Sequence, residues 1–329
     1  MVRFLFIAAF VLLNTVAQAQ QDNKTTFSAE DLNTLQTQEK VLDGLFGKLV
    51  KGMNEKQRIA YNDSIIPALV KALRIENSFG YRFDSLPYLS TIYAPDNSFR
   101  IFTWLLKKER EGTFKYYGAI QMNTPELKLI PLFDKSEAID IPETQELTNE
   151  KWFGVLYYGI TQKTYADTTY YTLFGWDGHS MKSNKKIADV LFFRAGKPIF
   201  GKPMFEVYKD GDNAITVKSR MILEYKEDAT IALNYNPDKD AIIYDFLTPE
   251  DDGEDAKQAY GKYYAYIPDG TYLGSQFIDG VWKIIPKMFE EALETAPIPE
   301  PVLGEGRKSK NKIRKEMTKK SKRKKEERR

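Results

Sequence analysis

With 329 residues, 42% of them hydrophobic and 13% aromatic, the chain can bury a large core, as one big β-rich domain or two smaller ones. It holds no cysteine and a single histidine, which excludes a disulfide framework, a lipid-modified cysteine and the usual Cys/His zinc sets. The net charge of +2 hides an asymmetry: residues 307–329 hold 14 Lys/Arg against 3 Glu, a local +11, and with Arg3 counted apart residues 20–306 are left at −10.

Residues 1–19 read as a secretory signal peptide: Arg3, a largely apolar run from Phe4 to Val16, and Ala17-Gln18-Ala19 as a small-x-small cleavage site. No later stretch approaches the roughly 20 apolar residues that a spanning helix needs, so no transmembrane segment is expected in the mature chain. The expected location is the periplasm, the outer-membrane periphery or the exterior.

Residues 20–27 are polar and expected to be flexible. A helical pair follows over 28–80. Ser28 caps the first helix, with Asp31 in the third position, and Leu32, Leu35, Leu42, Leu45, Phe46 and Leu49 give it one apolar face. The second starts at Asn54 with Gln57 completing the box; its apolar row is read as Ile59, Ile65, Ile66, Leu69, Val70 and Leu73, with Pro67 kinking or splitting it.

From Pro87 the periodicity becomes that of strands, closely spaced up to Ile285, with Asp177-Gly178, Ala195-Gly196, Pro268-Asp269-Gly270 and Asp279-Gly280 as turns. Such spacing leaves no room for crossover helices. The expected fold is α+β: the helical pair on a large, mainly antiparallel β domain over 85–290, a sandwich or strongly twisted sheet, with an irregular propeller as the alternative. Pro297-Ile298-Pro299-Glu300-Pro301 then opens a proline-rich spacer and disordered basic tail over 297–329.

Between residues 85 and 285 several segments recur in a recognisable order: Ser98 to Trp104, Tyr116 to Met122, Phe174-Gly175-Trp176-Asp177-Gly178, Asp189-Val190-Leu191 with Phe200-Gly201, and Ile267 to Gly270 with Gly280-Val281-Trp282. Together they resemble an uncharacterised family of secreted proteins of Bacteroidota. The resemblance implies an export route and a lineage. It implies no catalytic residue.

His179 is the one side chain whose ordinary pKa lies near neutrality, so a general-base role is the sharp hypothesis for it; no catalytic set is completed around it, and Asp177, His179 and Trp176 stand as candidate binding residues. Asp177-Gly178 also suits a plain turn. Ser180 lacks the second glycine of a nucleophile elbow, and the Ser183 to Lys186 S-x-x-K has no partner motif. Asn236 to Asp240 spaces oxygens like a calcium loop without the following glycine and distal glutamate, and reads as a solvated hairpin. Phosphate-cradling glycine loops and the dinucleotide fingerprint do not occur, so neither cofactor nor metal is expected.

The functional expectation is an exported, envelope-associated binding or structural module without enzymatic activity; the alternative is a hydrolase acting on glycans through paired Asp/Glu carboxylates. The tail, with Arg307, Lys308, Lys310, Lys312, Arg314, Lys315, Lys319, Lys320, Lys322, Arg323, Lys324, Lys325, Arg328 and Arg329, is the candidate polyanion-binding segment. Export points it at anionic envelope headgroups rather than at a dedicated nucleic-acid partner. Removing Arg307 to Arg329 is therefore expected to leave the melting temperature nearly unchanged while binding to heparin or anionic vesicles falls. A truncated protein that melts several degrees lower would show the tail packed on the acidic body.

Overall fold

The computed structural model describes residues 27–108, 113–208, 214–250 and 265–285. The expected leader, all but the last residue of the flexible stretch 20–27, the proline-rich spacer and the basic tail lie outside the described residues.

Helix α1 (Ala29–Lys51) starts as its sequence dictates: Ser28 is extended, its hydroxyl accepts from the Asp31 amide at 3.0 Å and donates to the Asp31 carboxylate at 2.6 Å. Helix α2 (Glu55–Leu73) is capped by Asn54, whose side chain accepts from the Gln57 amide at 2.9 Å. It runs unbroken across Pro67. Pro67 and Asp63, whose carbonyl loses its helical donor, are both exposed, so water can take the missing bond. The buried row of α2 also differs from the hydrophobic reading. Ile59 and Ile66 face solvent, and Arg58, Asn62, Ile65, Leu69, Ala72 and Leu73 face inward. The two polar members are tied: Asn62 accepts from the Trp104 indole at 2.8 Å, and Arg58 donates to the carbonyls of Lys107 and Gly52, each at 2.8 Å.

The strands form three sheets. Sheet I is an antiparallel meander of β1 (Ser90–Tyr93), β2 (Phe99–Lys107), β3 (Phe114–Met122) and β4 (Leu129–Phe133). Sheet II contains β5 (Leu147–Thr148), β6 (Leu156–Tyr165), β7 (Thr168–Asp177), β8 (Ser183–Arg194) and β9 (Lys197–Phe200) in the order β5-β9-β8-β7-β6. Strand β8 is long enough to serve two partners on the edge away from β7: its end pairs with β9 and its beginning with β12 (Arg220–Lys226). Sheet III contains β10 (Phe205–Tyr208), β11 (Ile215–Lys218), β13 (Leu233–Asn236), β14 (Ala241–Pro249), β15 (Tyr266–Ile278) and β16 (Val281–Ile285) in the order β11-β10-β16-β15-β14-β13. The contact of β10 with β16 is parallel, and the other strand pairs are antiparallel.

Alternation along the strands stacks these units as layers. On β2, Phe102, Trp104 and Leu106 meet the helical pair at Leu35, Leu42, Phe46 and Ile65, while Phe99 and Ile101 meet sheet II at Tyr157, Leu173 and Leu191. On β7, Tyr171 and Leu173 face sheet I, while Phe174 meets Phe205, Ile242 and Trp282 of sheet III. The order is helices, sheet I, sheet II, sheet III. Stacked layers, not radial blades, answer the choice between sandwich and propeller.

Two-residue turns with both residues left-handed close β8 to β9 at Ala195-Gly196 and β15 to β16 at Asp279-Gly280, as the sequence indicates. Ala166-Asp167 makes the same turn between β6 and β7 without glycine, at φ 47° and 58°, which conceals it in the sequence. Pro268-Asp269-Gly270 is not a hairpin turn. It lies inside β15 opposite the register shift between Asp245 and Leu247, where Asp269 accepts from the Thr271 amide at 2.7 Å and Gly270 takes φ 90°.

The connection from β4 to β6 is fastened by a buried ion pair. Arg220 Nε donates to Asp189 Oδ2 at 2.8 Å, and its Nη1 donates to the carbonyls of Pro142 and Gln145 at 2.6 and 2.7 Å. Both side chains are inaccessible to solvent at 0% and 2%. Removing one partner of such a pair strands the other charge. Arg220→Met or Asp189→Asn is therefore expected to cost about 3–5 kcal/mol in urea unfolding, while the Arg220→Met/Asp189→Leu double variant recovers much of the loss. Single variants within about 1 kcal/mol of the parent would refute the tie.

Candidate functional site

The last residue of β7, the turn that follows and the paired ends of β8 and β12 bring the sequence candidates together. Register sets Lys185 opposite Asp177 on one side and opposite Glu224 on the other. Residues in one cross-strand row share a face, so a lysine lies between two carboxylates. Lys185 Nζ is 3.5 Å from Glu224 Oε2. His179 stands over the same row, with Nδ1 3.8 Å from Asp177 Oδ2 and Nε2 3.9 Å from Glu224 Oε1. Those separations are too long for hydrogen bonds, and the contacts are ionic only when the imidazole is protonated.

Asp177 is only 8% exposed, and sheet I reaches across to hold it. The Tyr116 hydroxyl donates to Asp177 Oδ1 at 2.9 Å and accepts from the Gly178 amide at 2.9 Å. Burial pushes the Asp177 carboxyl up to about 6; the bond from Tyr116 and the charge of Lys185 oppose that rise, and Asp134 and Glu224 add to it. Burial and Lys185 lower His179, against the pull of Glu224. The Tyr116 phenol is driven well above its ordinary value by burial and by Asp177, so it stays a neutral donor. A carboxyl raised towards neutrality thus stands beside an imidazole lowered from its ordinary value, both shifted chiefly by burial.

Asp134 braces this arrangement from β4's end. Its carboxylate accepts from the Tyr116 amide at 3.0 Å and from the Ser136 amide and hydroxyl at 3.0 and 2.6 Å. A side chain on Gly154 would meet that carboxylate at 2.5 Å, so glycine is required there by space.

The serines beside His179 are held within the turn. Ser180 Oγ accepts from the amides of Lys182 and Ser183 at 3.1 and 3.0 Å, and Ser183 Oγ donates to Glu224 Oε1 at 2.6 Å. Trp176 is partly buried, edge-on to Phe114 at 5.7 Å, and belongs to the packing between sheets I and II. Gly178 does not use a left-handed backbone; a Cβ there would lie 2.3 Å from the Phe114 ring and 2.7 Å from Trp176. The Asp-Gly pair therefore marks close packing rather than a tight hairpin.

Asp177 and His179 lie together, Trp176 packs with Phe114 instead, and the tail candidates lie outside the described residues. Tyr116, Asp134, Lys185 and Glu224 were not singled out by sequence. Only strand register and the stacking of sheet I bring them in. In the suspected calcium loop, Asp240 pairs with Lys163 and accepts from the Tyr235 hydroxyl at 2.5 Å, while Asn236 accepts from the Lys239 amide at 3.0 Å. Among the described residues no group of three or more His, Asp or Glu side chains is arranged to hold a metal ion. No family model, curated protein or solved structure matches the chain.

The raised pKa of Asp177 has a consequence for stability. In the folded chain its carboxyl keeps a proton up to about pH 6, against an ordinary value of 3.8. This group's contribution is therefore fully present below the ordinary value and is lost as pH rises through about 6. Asp177→Asn keeps the acceptor for Tyr116 without the charge, and it should stabilise the protein at about pH 7.5 by up to about 3 kcal/mol. The gain should vanish at about pH 4. Denaturant melts at the two pH values measure it; an equal effect at both would contradict the buried-proton assignment.

Proposed function

We propose that the mature chain is an exported, envelope-associated binding or structural module that carries out no chemistry of its own. One observation supports this above the others. A hydroxyl nucleophile needs a base within hydrogen-bond reach, yet the imidazole of His179 faces carboxylates on both sides, and Ser180 and Ser183 are spent on the turn and on Glu224. The cluster holds the ends of β7, β8 and β12 in register with sheet I. The +11 segment at 307–329 beside a −10 body supports association with an anionic surface.

A second reading is favoured by Asp177 itself. A carboxyl raised to about 6 is suited to donate a proton at neutral pH, and Glu224 stands across the imidazole as the second carboxylate of a glycan hydrolase. One experiment separates the two: the purified chain is incubated with isolated envelope glycans, and retention and release of new reducing ends are both recorded. The module reading expects retention without release. Release that disappears in both Asp177→Asn and Glu224→Gln would overturn it in favour of the hydrolase.

A further inference from the structure

The junction of the two helices is built as a fixed tip with an apolar point. Met53, at the junction, is 81% exposed, the highest value among the exposed large hydrophobic side chains of the described residues, and Val50, three residues earlier in the last turn of α1, is 51% exposed. Exposed lysines flank them: Lys48 and Lys51 before the junction and Lys56 after it. Lys107 comes to the same end of the molecule, because its carbonyl accepts from Arg58 Nε at 2.8 Å, and its own side chain is exposed.

This exposure is imposed by structure on every side of the junction. Arg58 Nη1 donates to the Gly52 carbonyl at 2.8 Å. The Met53 amide donates to the Gln57 side chain at 3.0 Å, and the Gln57 amide donates to Asn54 at 2.9 Å. A Cβ on Gly52 would lie 2.7 Å from the Arg58 side chain, so the chain is drawn in tightly there and Met53 is turned out. Lysines in the last turn of α1 also complement its carbonyl end. That role asks nothing of Met53 and nothing of Lys56 or Lys107, which lie on other elements.

The geometry points to a peripheral membrane-docking tip: Val50 and Met53 enter the interface of an anionic bilayer, and Lys48, Lys51, Lys56 and Lys107 meet its headgroup phosphates. Charge complementarity selects this occupant. Apolar side chains set among four lysines, with Glu55 the one carboxylate between residues 48 and 58, match a surface that is apolar just beneath a negative layer, and a preorganised tip loses little freedom on entering it. No helix among the described residues is long and apolar enough to cross a membrane, so the contact lies on the surface. The inference deepens the envelope reading and rests on it only for the presence of such a bilayer.

The absence of cysteine from the chain makes the test site-specific. In the full mature chain, Met53→Cys and, as a control at another 78%-exposed methionine, Met181→Cys are each labelled with an environment-sensitive fluorophore. Vesicles of phosphatidylglycerol with phosphatidylcholine, or of phosphatidylcholine alone, are then added. The expected result is a blue-shifted, brighter emission from position 53 with the anionic vesicles only and none from 181. Lys51→Ala/Lys56→Ala in the same labelled chain should weaken partitioning by about twenty-fivefold at low salt, since each lysine near an anionic surface contributes about fivefold. Sedimentation with vesicles while position 53 stays silent, an equal response from 181, or an equal response to neutral vesicles would overturn the tip. Binding that survives with a silent tip would leave the basic tail and the envelope reading standing, so the two failures are distinguishable.

Discussion

Sheet II is covered on both faces, by sheet I and by sheet III, and that constraint governs the polar chemistry of the whole molecule. A buried polar group that meets no partner costs roughly 1–3 kcal/mol, and here water cannot supply the partner. Several buried polar side chains of this sheet are bonded to one another or to a neighbouring layer, although Arg220 Nη2 is buried without a hydrogen-bond partner. Thr172 on β7 accepts from the Trp282 indole of sheet III at 3.0 Å. The Tyr157 amide donates to Thr103 of sheet I at 3.1 Å, and Asp177 receives Tyr116 from the same side. Asp189 and Arg220 meet within the sheet and reach the connection that wraps it. Apolar burial holds the layers together, and these bonds fix where each layer sits on the next.

Sheet I meets the same constraint on its helical face, with a different solution. The Arg100 guanidinium is fully buried and donates to the Gln121 side chain and the Ser78 carbonyl, each at 2.8 Å, to the Tyr93 hydroxyl at 2.6 Å, and to the Tyr81 carbonyl. The rings of Phe79, Phe83, Tyr93 and Phe102 surround it at 4.6 to 5.5 Å. Burial lowers its pKa to about 10, so it remains a cation at neutral pH, stabilised by ring faces and carbonyl dipoles. Phe83 takes part from a left-handed backbone at φ 53°, a strain on the order of 1–3 kcal/mol for a bulky residue. Its ring contacts with Tyr81 at 4.9 Å and Phe102 at 6.1 Å, together with its burial, offset that strain. The segment linking α2 to β1 is thereby wound around one arginine.

Local rules were legible in the sequence, and relations between layers were not. Ser28 and Asn54 announce their helices because a cap acts within four residues, and Asp279-Gly280 announces its hairpin for the same reason. The reading of α2 failed where a polar residue faced inward: Arg58 and Asn62 look like solvent residues until Lys107 and Trp104 of sheet I are brought to them. Short strands such as β10 and β11 pass unnoticed because four residues hold too little alternation to stand out. At the site, His179 and Asp177 draw attention by residue type alone. Tyr116 is 61 residues from Asp177 in sequence, and Lys185 and Glu224 join by register.

Register in β8 poses the sharpest version of this problem. Residues Lys186 to Phe192 are all buried, so the strand has no wet face, and apolar alternation cannot report which residue belongs on which side. Burial alone would tolerate a slip, since Ile187, Ala188, Val190 and Leu191 can all satisfy a dry environment. The Asp189–Arg220 pair does not tolerate it. A one-residue shift of β12 would set the guanidinium opposite Ala188 or Val190 and turn it away from the carbonyls of Pro142 and Gln145. The same shift would move Glu224 off Lys185 and dissolve the row over which His179 stands. Ion pairs this deeply buried add little net stability over apolar replacements, because desolvation cancels much of their attraction. Their worth here lies in the penalty they impose on every other register. A chain without cysteine has no disulfide with which to impose that penalty, so it falls to a few charged groups in an apolar stack.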